Sequence, residues 1–169
     1  MFHVSSITMN DLEAFKATRL RALANDPLAF GSTLAREAQF GAAEWQRRVL
    51  RMDGVSGVGF LARVANEAVA CGIVGCFIDQ DDRHLAEIVS MWVAEEQRGK
   101  GAADGLVDAC VDWAATRDVK RIRLMVTSIN TRARAFYLRR GFMPTGYREP
   151  YPNDASLEEE EMIFDLPGD

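Results

Sequence analysis

A chain of 169 residues, 48% hydrophobic and 27% charged, has the size and composition of one globular domain that buries a core without disulfide staples. No apolar run approaches the roughly 20 residues that span a bilayer, and the opening MFHVSSITMNDLEAF lacks the basic-then-apolar pattern of a signal peptide; a cytoplasmic protein with no membrane partner is expected. The net charge of −5 is uneven: Arg98 to Arg140 holds ten Lys and Arg against four Asp and Glu, and the remainder is strongly acidic, which favours an anionic ligand and a cationic one and argues against nucleic acid, whose partners need a broader basic excess.

The elements run in chain order. Thr8 or Asn10 is placed to cap a helix running to about Ala24, with Leu12, Phe15, Leu20 and Leu23 on its apolar side. Asn25-Asp26-Pro27 stops it. A second helical stretch covers Leu34 to Met52 in one or two pieces, with Trp45 and Val49 at i, i+4. Gly54 to Gly59 is a break. Strands at Phe60–Ala65 and Val69–Ile78 read as a hairpin around Asn66-Glu67. Asp79 to Arg83 is a polar turn, and Leu85 to Ala94 is a strand. The loop QRGKGAA, Gln97 to Ala103, leads into a helix from about Gly101 to Arg117 whose stripe is Leu106, Cys110, Trp113 and Ala114. Arg121–Thr127 is a strand. Asn130 caps a short helix that Gly141 ends. Phe142–Tyr147 and Glu160–Leu166 are the last strands. Residues 1–169 thus read as a single mixed α/β domain.

The three cysteines are Cys71, Cys76 and Cys110. On one strand the first two lie roughly 16 Å apart, too far for a disulfide; all three read as buried thiols. His84-x-x-Glu87 has metal-like spacing only on a helix, and this segment reads as strand, so no metal is expected.

The loop carries the chemistry. It has neither the Gly-Lys-Ser/Thr of a Walker motif nor G-x-G-x-x-G. Its pattern is Arg98-x-x-Gly101-x-Ala103 at a strand-to-helix joint. The first amides of a helix lack internal partners and carry partial positive charge. Gly99, Gly101, Ala102 and Ala103 leave those amides open, and Arg98 and Lys100 add charge, so a pyrophosphate suits the site.

The motifs continue in order through Met91-Trp92-Val93, Arg98 to Ala103, Asn130, Ala133, Tyr137 and Gly141-Phe142. Over about residues 87–142 this series resembles the GNAT superfamily of acetyl-CoA-dependent N-acetyltransferases. The resemblance implies a mostly antiparallel central sheet with a splayed parallel pair and helices on both faces. It implies acetyl-CoA as acetyl donor, its extended arm pairing with Met91, Trp92 and Val93. The amides of Arg98, Gly99, Lys100, Gly101, Ala102 and Ala103 would hold its pyrophosphate, and Asn130 its arm. Asn130, Ala133 and Tyr137 share one helix face. The resemblance makes Tyr137 the acid for the leaving thiolate or the group that positions sulfur. It also places the oxyanion donor at a backbone amide near Val93. Many family members relay the proton through water.

Glu87 is the candidate base: a carboxylate in an apolar strand, on the face of Val89, Met91 and Val93 by alternation, with Trp92 opposite. It can equally attract a cationic substrate. The acceptor would be a primary amine of a small molecule or peptide, with Phe30, Glu87 and Tyr147 as candidate contacts; the Glu158–Glu161 run reads as a solvated strand end. Two other readings stay open, a non-catalytic acyl-CoA-binding module and a nucleotide-phosphate enzyme, the second weakened by the lack of a metal-binding acid. A homodimer is in keeping with the family.

Overall fold

The computed structural model describes residues 1–168. Its strands are β1 (Phe2–Ser6), β2 (Gly57–Val64), β3 (Ala70–Ile78), β4 (Leu85–Val93), β5 (Arg121–Thr127), β6 (Met143–Tyr151) and β7 (Asp154–Asp165). Its α-helices are α1 (Leu12–Asn25), α2 (Leu34–Glu37), α3 (Ala42–Leu50), α4 (Ala102–Ala115) and α5 (Thr131–Arg139). The strands form one sheet in the order β1-β2-β3-β4-β5-β7-β6. All neighbours run antiparallel except the central pair β4–β5. The expected mixed α/β sheet with one parallel pair is therefore present. No helix among the described residues is long and apolar enough to cross a membrane.

Several elements differ from expectation. β1 is an addition to the expected strands; five residues at an edge give too little alternation to read. The stretch from Leu34 splits into α2 and α3 around the Phe40-Gly41 break. Thr8 caps a short 3-10 turn before α1, where it and Asp11 form a reciprocal capping box. β6 and β7 are longer than their apolar cores, extending through exposed polar residues.

Register assigns the two faces. Cys76 and Gly72 look toward α4: a side chain at Gly72 would meet Leu106, and Cys76 lies against Cys110. Glu160 and Phe164 of β7 look the same way, toward α5. Ile73, Gly75 and Phe77 look the other way, under α1 and α3. Leu61, Ile73, Leu106, Ile122, Leu124 and Met162 fill the layers on either side and are under 2% exposed. Burying each such side chain is worth about 1.5–3 kcal/mol.

Two features of β4 open the sheet near its centre. First, β4 and β5 pair only at Leu85–Arg121, Ala86–Ile122 and Glu87–Arg123, and part beyond Glu87. Second, the register with β3 slips between Gly75–Val89 and Ile73–Trp92, so Ser90 and Met91 face the single residue Val74. This is a β-bulge. Ser90 takes a left-handed backbone, φ 59, a strain of about 1–2 kcal/mol for a non-glycine residue. Arg19 of α1 offsets it by donating from Nη1 to Ser90 Oγ at 3.0 Å.

The bulge corrects the expected alternation. Glu87 and Val89 face α1, while Met91 and Val93 face α4 and α5. Trp92 joins Glu87's face instead of opposing it, and is core, 4% exposed.

Candidate active site

A groove of about 300 Å³ runs on the α4–α5 side of the splayed pair. Met91, Trp92 and Val93 form one wall; Asn130, Ala133 and Tyr137 form the other; Gly99, Gly101 and Ala103 close one end. The motifs separated by some 40 residues of sequence thus meet in one place. Lys100 is exposed and Ala102 is buried in the core, and neither lines the groove.

The loop geometry explains its composition. Gly99 and Gly101 have φ of 73 and 98, a region that side chains with a Cβ avoid. Gly101 is the N-cap of α4, and no side chain caps that end. The first-turn amides of α4 therefore stay available to an anion at the mouth of the groove.

Arg98 does something the sequence did not indicate. Its Nε donates to Val93 O at 2.9 Å, and its Nη2 reaches Asp26 Oδ2 at 2.6 Å. The same oxygen accepts from Trp92 Nε1 at 2.7 Å. Arg98 thus pins the loop to the end of β4 and to the turn after α1, with its charge already balanced by Asp26. The cations left to the groove are Arg132 and Arg139, which line it from α5. Arg132, Phe136 and Arg139 recur at i, i+4, i+7, a face the sequence contained next to that of Asn130, Ala133 and Tyr137. Asp26 gave no signal beyond stopping a helix.

Asn130 serves as cap of α5, its Oδ1 accepting from Ala133 N at 3.2 Å. Among the described residues its side-chain nitrogen makes no hydrogen bond, and Asn130 lines the groove. Tyr137 lies roughly two turns on, 7% exposed, its ring edge-on to Phe136 and Phe142. Among the described residues no hydrogen bond holds its hydroxyl. Burial, and then Cys110, push its pKa well above the ordinary value for a phenol. Tyr137 also lines a second cavity between the parted strands, together with Ile88, Val89, Ser90, Met91, Leu124 and Thr127. Tyr137 is one of five residues, with Ala29, Met91, Asn130 and Ala133, that line both groove and gap.

Glu87 sits at the root of that gap but on the other face. Arg123 Nη2 and Nε both approach Glu87 Oε2, at 2.7 and 3.2 Å, and Arg123 also reaches Asp79. Glu87 Oε1 makes no hydrogen bond among the described residues. Glu159 and Glu149 face each other across β6–β7 on the same side. Burial, followed by Glu149 and then Glu87, raises Glu159 to about 7, so the run read as a solvated strand end contains a carboxyl poised near neutrality. Tyr147 is 54% exposed and donates from its hydroxyl to Glu149 at 3.0 Å. Phe30 is 4% exposed beneath the guanidinium of Arg19, so its ring is core packing. Neither Phe30 nor Tyr147 lines the groove or the gap.

A sheet opened along one parallel pair, an uncapped helix N-terminus and a bulged strand beside the opening together give an open groove with unpaired first-turn amides at one end. A family model described as "Acetyltransferase (GNAT) family" matches residues 21–142, and the chain belongs to that family of acetyltransferases. Among solved structures, the chain is similar to an acetyltransferase of the GNAT family from Streptococcus pneumoniae, with 18% identity, a TM-score of 0.81, and 99% of this chain and 100% of that one covered. It is similar to yncA of Salmonella typhimurium, solved with its cofactor acetyl-CoA, at 14% identity and TM-score 0.79, covering 100% and 96%. It is also similar to Arabidopsis thaliana NAA60 in complex with a bisubstrate analogue, at 16% identity and TM-score 0.75, covering 100% of both chains. A search of curated protein sequences found no match.

Acetyl-CoA, the family's acetyl donor, is compatible with the residues present. Gly99 and Gly101 leave open space where a side chain would stand. Arg132 and Arg139 place positive charge on the lining, the rest of which is mostly apolar surface.

Proposed function

We propose that this protein transfers the acetyl group of acetyl-CoA directly to a primary amine. Acetyl-CoA, when bound, supplies an activated thioester. The amides of Gly99 to Ala103, with Arg132 and Arg139, hold the phosphates; the backbone of Met91 to Val93 and the Asn130 amide hold the arm. The bulge at Ser90–Met91 turns backbone groups out of the β3–β4 ladder, and an amide between there and Val93 is the donor for the oxyanion. Glu87 accepts the ammonium proton at Oε1, directly or through one water, while Arg123 keeps Oε2 fixed.

The observation that carries the reading is Tyr137. Its phenol, with Asn130, is a polar side chain lining both groove and gap, and burial raises its pKa further above neutrality. A phenol above its ordinary pKa is a reluctant acid toward a thiolate whose own pKa is about 8.5. Its main contribution is then a hydrogen bond to charge growing on sulfur.

The test is release of free thiol from acetyl-CoA in the presence of a panel of primary amines. Tyr137→Phe is expected to slow turnover by roughly 10²-fold with acetyl-CoA affinity retained. Turnover equal to wild type removes Tyr137 from the reaction.

A further inference from the structure

A third cavity, about 230 Å³, lies on the α1–α3 face of β3 and β4. Four arginines line it: Arg19 from α1, Arg47 and Arg48 from α3, and Arg51 just after α3. Its acids are two. Glu37 takes a two-pronged bond from Arg19 and a contact from Arg48, and Glu44 pairs with Arg47 and Arg48. Two positive charges are left over. Arg51 is the clearest of them: its guanidinium lies 5.2 Å over the Phe77 ring, and among the described residues no carboxylate pairs with it.

The floor is apolar, made by Phe15, Met52, Ile73, Phe77 and Val89. Val89 and Ser90 belong both to this cavity and to the gap that Tyr137 lines. Cavity and gap therefore adjoin at the bulge. Glu87 stands directly across from Phe77 in the β3–β4 register, on the same face. Arg51, over Phe77, and Glu87, across from Phe77, therefore border the same end of the floor, and the bulge at Ser90 borders the other. The chain-wide acidic balance does not extend to this pocket.

We propose that this cavity is the acceptor pocket, and that the acceptor is an amine that also carries an anionic group, carboxylate or phosphate, on a small apolar body. The anion lies against Arg51, with Arg47 beside it, and the amine points past Val89 into the gap, whose root Glu87 borders. The proposal rests on the reading of the chain as an amine acetyltransferase and names the acceptor's class. Guanidinium is suited to both anions through paired N–H donors.

The test compares amines that differ only in the anion: phenylalanine against 2-phenylethylamine, and O-phosphoethanolamine against ethanolamine. At least one anionic member should exceed its partner about tenfold in kcat/KM, and which one does so identifies carboxylate or phosphate. Arg51→Met should collapse that ratio toward one, mainly through KM, and Arg51→Lys should restore part of it. Arg47→Met serves as a second variant on a different side chain. Equal use of both members of each pair, or a ratio unchanged in both methionine variants, overturns the proposal. If no amine is acetylated, the transferase reading fails separately. The pocket is then judged by calorimetric titration with N-acetylphenylalanine: binding lost in Arg51→Met supports an anion site, and no binding or equal binding overturns it.

Discussion

Glu87 and Arg123 are the last paired residues of the parallel β4–β5 ladder, and their side chains form an ion pair with Nη2 to Oε2 at 2.7 Å. The backbone pairing and the charge pairing end at the same point, and the strands part immediately beyond it. The ion pair therefore marks the root of the gap and fixes the carboxylate proposed as base.

Glu87→Gln keeps the shape of that root and removes its negative charge. The expected outcome is a fall in kcat of roughly 10–10²-fold, with acetyl-CoA affinity within about twofold of wild type. Steady-state kinetics across pH, set beside calorimetry, separates the two effects. An unchanged kcat and pH profile assigns the proton to another group.

Gly101→Val forces a β-branched residue into φ 98. The strain is about 1–2 kcal/mol, and the new side chain projects into space that is otherwise open. Calorimetry should show acetyl-CoA binding lost, while circular dichroism shows the fold retained. Binding at wild-type strength would place the phosphates elsewhere.

Asp26→Ala leaves Trp92 Nε1 and the Arg98 guanidinium without their shared acceptor. Trp92 is buried, so the orphaned donor costs about 1–3 kcal/mol. For a chain of this size that is a fall in melting temperature on the order of 5 °C. Differential scanning calorimetry checks it. Asp26→Asn keeps an acceptor for Trp92 and should lose less.

Glu159 gives a pH signature. Its carboxyl is raised from 4.5 to about 7 in the folded chain. Between those values the folded state holds a proton that the unfolded state releases, so stability falls as pH rises through that window. Glu159→Gln should flatten this part of the curve and melt higher than wild type above about pH 7. Parallel curves for the two proteins across that window would show that Glu159 titrates normally.

Much of the groove was legible because its parts obey local rules. Glycines at positive φ, an uncapped helix start and a helix face at i, i+3, i+7 are all written within a few residues. The β2–β3 hairpin and the succession β4, α4, β5 came from hydrophobic runs and turn residues, and the splayed parallel pair from the family resemblance. What failed was long-range. The Ser90 bulge depends on Arg19, 71 residues away, and serine has no intrinsic reason to adopt φ 59, so the alternation along β4 was carried past the point where it reverses. Arg98 looked like a free cation because Asp26, 72 residues distant, was invisible as its partner. The arginine cavity was missed because α1 and α3 each supply only part of it.

β6 is one outer edge of the sheet, and it contains Pro144 and Pro150, with Gly146 in a left-handed turn of the chain between them. Each proline lacks the N–H that a neighbouring strand would use. That border is thereby resistant to templated stacking of further chains, a common route to aggregation for sheet proteins. The opposite border, β1, has no such residue, so any strand-to-strand joining between molecules is steered to the end of the sheet farthest from β5, β6 and β7.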